Sequence, residues 1–147
     1  MGAIKTFRGL MASATQDTIV LHTNDGSTGY RIVKFEIILN EPGGSSYESI
    51  VKIYKVEQST IATVIDFSDT TLLAAAFQAG NSNATVYPVT QVVIFDGEIF
   101  NQDIYVTHAT TGSVSPMNYI IELEQMPLDL NESTVATLKD IRNTRPD

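Results

Sequence analysis

The sequence predicts a mainly β protein: an antiparallel β-sandwich or barrel-like domain with one short C-terminal helix. Three observations carry this. Apolar and polar residues alternate with a period of two in GYRIVKFEIILN (29–40) and NYIIELEQ (118–125), as in half-buried strands. Short β-branched runs recur roughly every ten residues, with turn-forming residues between them. Only LDLNESTVATLKDIRNTRPD, at the end of the chain, changes to a helical period.

The 147 residues suit one domain. Residues 1–16 are poorly patterned and read as an N-terminal arm able to dock on a neighbour. Residues 17–147 then form a single β-rich domain with a helix near 130–143. TIVLHT (18–23) is a short strand, closed by a turn at Asp25-Gly26. In 29–40, Val33, Phe35, Ile37 and Leu39 make a clean apolar face, opposite Tyr30, Ile32, Lys34, Glu36 and Ile38. EPGGSS (41–46) is a loop by composition, and the strand YESIVKIYKVEQ (47–58) after it completes an expected hairpin.

TTLLAAAFQAG (70–80) has residues that favour helix, but predicted strands flank it and favour a strand. VTQVVIF (89–95) is strongly β-branched, and Asp96-Gly97 after it has the composition of a type I′ turn, which would pair VVIF with EIFN. DIYVTHA (103–109) and NYIIELEQ follow as strands. In the last segment Val135, Leu138 and Ile141 fall at helical spacing. Asp129 with Glu132 resembles a capping box, Lys139 and Arg142 complement the helix dipole, and Pro146 ends any continuation.

Seventeen acids against nine bases give a net charge of −8, which repels a phosphate backbone and an anionic membrane alike. No cysteine is present, so disulfides, thiolate metal sites and a cysteine nucleophile are excluded. No stretch approaches the roughly 18 apolar residues of a membrane-spanning helix. The nucleophile elbow and the two glycine-rich phosphate cradles are also missing from the sequence.

The densest chemical cluster is FDGEIFNQDIYVTH (95–108), with Asp96, Glu98, Asp103 and His108. Strand alternation splits it, because Ile104, Val106 and His108 share a face that Asp103 does not. A calcium loop would need oxygen ligands where Ile99 and Phe100 stand. His22 and His108 are the only histidines, and nothing in their spacing brings them together. Glu122 and Glu124, a conceivable carboxylate pair, fall on the solvent side of a strand whose Tyr119, Ile121 and Leu123 face the core. Two sequons occur, at Asn83 and Asn131; the second suits a helix start. No catalytic, metal or cofactor-binding residue is assigned, and a non-enzymatic protein without a cofactor is expected.

Binding by surface remains. Val92, Val93, Ile94 and Phe95 are apolar on both sides of a strand, and in a small domain another subunit can supply the second cover. The expected partners are therefore copies of the chain itself or a larger assembly.

DFSDTTLLAAAFQAG (66–80), VVIFDGEIFNQDIYVTH (92–108) and NYIIELEQMPLDLNESTVATLKDIRN (118–143) resemble small virion structural proteins of marine and cyanobacterial tailed bacteriophages. The resemblance implies a capsid decoration or head accessory protein, bound to the major capsid protein or to itself as a homo-oligomer or shell-bound array. It implies a place on the capsid exterior after synthesis in the host cytoplasm, and the acidic charge suits a surface turned away from packaged DNA. The alternative is a host-surface-binding module of a tail fibre or tail tip, with Tyr30, Tyr47 or Tyr87 stacking on sugar rings.

Overall fold

The computed structural model describes residues 2–41, 47–80, 91–112, 114–129, 131 and 134–138. They contain the strands β1 (Ala3–Met11), β2 (Thr15–Ile19), β3 (Thr28–Leu39), β4 (Tyr47–Tyr54), β5 (Leu72–Gly80), β6 (Gln91–Phe95), β7 (Ile104–Gly112) and β8 (Met117–Pro127). A three-stranded sheet ordered β1-β8-β3 faces a five-stranded sheet ordered β2-β7-β4-β5-β6. Every strand pairing is antiparallel. The expected β-sandwich with a short helix near its end is the observed fold.

The pairs β1–β8, β2–β7 and β4–β5 nest inside one another along the chain, which is the connectivity of a jelly roll. The remaining nested pair, β3–β6, is made in part. β6 pairs with β5. Phe100, beyond the end of β6, instead exchanges two backbone hydrogen bonds with Tyr30 of β3, at 2.8 and 2.9 Å. The chain from 91 to 100 thus crosses from one sheet to the other.

Between the sheets lies a single core. Phe35, Ile37 and Leu39 of β3 and Ile121 and Leu123 of β8 meet Val51 and Ile53 of β4 and Ile104 and Val106 of β7. Segment 72–80 is a strand, as the flanking pattern suggests. β4 and β6 hydrogen-bond to its two sides, and that pairing outweighs the helix preference of Ala74, Ala75 and Ala76, worth under about 1 kcal/mol each.

Several sequence expectations are corrected. Residues 3–11, within the segment read as an arm, form β1 and pair with β8 over their whole length. Met11 is in the core and Phe7 packs against it. Val33 does not share a face with Phe35. A β-bulge falls at this residue, since Ile32 pairs with Leu123 and Lys34 with the adjacent Glu122. The bulge turns Val33 outward and brings Tyr30 and Ile32 onto the same buried side as Phe35, Ile37 and Leu39.

β3 and β4 are not a hairpin, because they belong to different sheets. β4 is buried on both faces, by Val51 and Ile53 on one and Ile50, Lys52 and Tyr54 on the other, and so needs the central place between β5 and β7. The connecting residues 42–46 lie outside the described residues. TIVLHT also ends early: β2 stops at Ile19. In the helix, whose described residues are 131 and 134–138, Val135 and Leu138 are exposed and Ala136 is buried. Glu132, Lys139, Ile141, Arg142 and Pro146 lie outside the described residues.

Candidate functional site

The residues of the 95–108 cluster are dispersed by the fold, and each acquires a structural partner. Asp96 accepts the Glu98 N–H at 2.8 Å, an Asx turn that carries the chain off the end of β6. The expected type I′ hairpin is not formed: positive φ among the described glycines is confined to Gly26 and Gly112, and a type I′ turn would require it at Gly97. EIFN instead leads across the sandwich to the Phe100–Tyr30 bridge.

Glu98 meets Lys55 Nζ at 3.0 and 3.1 Å, and the Lys55 side chain is only 1% exposed. Removing one member of so buried an ion pair costs about 3–5 kcal/mol. The pair lies in a cleft of about 1300 Å³, lined also by Asp69, Asp96, Ile99, Phe67 and Val135. Asn131 of the second sequon lines it too, and Asn83 of the first lies outside the described residues.

Asp103 precedes β7 and serves the loop after β2. One carboxylate oxygen accepts the N–H groups of Leu21 and His22, at 2.8 and 3.0 Å, and meets His22 Nδ1 at 2.7 Å. These bonds replace the ladder that β2 abandons at Ile19. Burial works to raise the Asp103 carboxyl, but the bonds from His22 and Leu21 outweigh it and hold the group below the usual carboxylate range.

His108 is buried between the sheets, on the side shared with Ile104 and Val106, as alternation predicts. Its Nδ1 lies 3.0 Å from the Met11 carbonyl and 3.2 Å from that of Ala12, and its Nε2 lies 3.2 Å from Ser49 Oγ. Carbonyls only accept, so Nδ1 carries the proton and Nε2 accepts from the serine. The His108 carbonyl also takes the N–H of Ala14, whose φ is 60°. His108 thereby holds the corner where the chain passes from β1 to β2. Burial pushes its pKa down, against the opposing pull of the two carbonyls.

Along extended chain, Asp103 and His108 are about 16 Å apart. No group of three His, Asp or Glu side chains converges as a metal site among the described residues. Glu122 and Glu124 stand on the outer side of β8, next to Lys34 at 3.7 Å and Arg31 at 2.6 Å. Tyr30 is buried and stacked on Phe100, so it offers no face to a sugar. Tyr87 and the Tyr47 side chain lie outside the described residues. Periodicity did not single out Phe67, the exposed aromatic residue of the cleft, because it stands in an irregular segment.

The outer side of the five-stranded sheet is partly covered by that segment. Lys52 Nζ donates to the Val64 carbonyl at 2.6 Å, and Gln16 and Gln58 exchange two hydrogen bonds. The cover does not reach β6. Val92 and Ile94 are 47% and 48% exposed, and Phe95 39%. Among the described residues, β6 pairs on one side only, with β5. An open apolar edge strand of this kind is a surface for another chain.

No family model and no curated protein matches the sequence. Four solved chains match the structure. One is a chain of the Bacillus endospore appendages, described as forming a novel family of disulfide-linked pili. The two chains are 7% identical, with 88% of this chain and 92% of that chain covered, at a TM-score of 0.31.

Proposed function

We propose that this chain is a non-enzymatic virion structural protein of a tailed bacteriophage, a capsid decoration protein bound to the outside of the shell. The observation that carries the reading is the β6 edge, where Val92, Ile94 and Phe95 present apolar surface on a strand that has a single strand partner among the described residues. The resemblance over 66–143 supports it, as does a net charge of −8, which suits a surface turned away from packaged DNA. The conspicuous acids and histidines have structural partners that suffice to explain them.

Copy number and position in purified particles test this directly. Reconstruction of the particle should show many ordered copies on the shell, with β6 at the contact. Val92→Lys/Ile94→Lys should leave the circular dichroism unchanged and abolish attachment. Absence of the protein from particles refutes the reading.

The alternative of a host-surface-binding module draws on Phe67, an exposed aromatic ring in a cleft with Asp69 and Asp96, the kind of surface on which sugars stack. A glycan array with the purified chain separates the two, since a decoration protein binds none of its spots.

A further inference from the structure

The outward face of the three-stranded sheet has an order of its own. The β1–β8 and β3–β8 registers place residues in rows across the strands. One row reads Leu10, Asn118, Ile38, and the next reads Arg8, Ile120, Glu36. Leu10 and Ile38 are 53% and 63% exposed, and with Ile120 they form an apolar patch around a shallow depression of about 500 Å³. Farther along the same face the charges are satisfied within the chain, by Lys34–Glu122 and Arg31–Glu124. Arg8 and Glu36 have no ion-pair partner among the described residues. They flank Ile120 from the two neighbouring strands, about 9.5 Å apart, and do not pair with each other across β8.

We propose that this face binds the same face of a second copy about a twofold axis running parallel to β8. Such an axis exchanges the two sides of the sheet. It sets Arg8 of each copy over Glu36 of the other, Leu10 over Ile38, and Ile120 over Ile120. The contact is self-complementary in charge and in apolar surface, as a closed dimer requires. Two sheets packed this way lie about 10 Å apart, within reach of an arginine and a glutamate side chain. The inference does not rest on the virion reading, and the β6 edge stays open in the dimer for a different partner.

Sedimentation velocity on the full chain tests it. Wild type should dimerise. Arg8→Glu and Glu36→Arg should each weaken self-association by about tenfold or more, because each sets like charges against one another. The two single variants mixed should form a heterodimer, and the double variant Arg8→Glu/Glu36→Arg should dimerise again. Both positions, Arg8 and Glu36, are exposed, so circular dichroism should show the same fold throughout. A wild type that stays monomeric at every concentration overturns the proposal. So does an oligomer that both single variants form as well as wild type. Particle attachment through Val92 and Ile94 is read separately, so either idea can fail alone.

Discussion

Burial disfavours the charged form of His108 more than its two carbonyl partners favour it, and this gives the molecule a pH dependence with a definite sign. Its folded-state pKa lies below the ordinary 6.5, so the unfolded chain takes up a proton before the folded one does. The stability it contributes is full above pH 6.5 and is lost as the pH falls through the folded-state value. Replacement by glutamine removes the titration and should cost about 1–2 kcal/mol at pH 7.5. Urea denaturation from pH 7.5 to 5 should therefore show the gap between wild type and His108→Gln narrowing below pH 6.5. Parallel curves would contradict this role. Alternation was enough to place His108 with Ile104 and Val106. Its partners at Met11, Ala12 and Ser49 are distant in sequence, and no local pattern points to them. Asp103 was likewise legible as a strand-end acid but not as the acceptor for the backbone of Leu21 and His22.

β3 shows how an element can be predicted correctly and its face wrongly. Strict alternation joins Val33 to Phe35. The bulge shifts the phase by one residue, so the buried set becomes Tyr30, Ile32, Phe35, Ile37 and Leu39. Deleting Val33 restores regular alternation and leaves every core residue on its own side. That variant should keep cooperative thermal unfolding at a cost of about 1 kcal/mol. Deleting Glu36 instead reverses Ile37 and Leu39 relative to Phe35, and should abolish the cooperative transition. Equal effects of the two deletions would show that the bulge does not act as an inserted residue. β1 escaped the sequence reading for another reason. It is an edge strand with one side open among the described strands, and only Phe7 and Met11 contribute to the core, so its apolar signal is thin.

For the molecule as a whole, the fold class was written in the recurrence of short strands, whereas the strand order was not. Periodicity reports which residues are buried and carries no information on which strand neighbours which. The expected hairpins at 41–46 and Asp96-Gly97 failed for this reason. Of the consecutive strands only β4–β5 and β5–β6 are paired directly. Pairing dominated by distant partners predicts refolding in milliseconds to seconds. A chain ended after residue 112 lacks β8, to which β1 and β3 both bind, and should show no cooperative unfolding. A sharp transition from that fragment would mean the five-stranded sheet is stable alone.

The nesting of β1 with β8 also sets the order of events as the chain is made. β1 emerges first and its hydrogen-bonding partner emerges late, so for most of synthesis Phe7 and Met11 are exposed without the strand that will hold them. The nascent chain is therefore most vulnerable at β1. A chaperone that guards this protein on the ribosome should be found on Ala3–Met11, and should leave once residues 117–127 have cleared the tunnel.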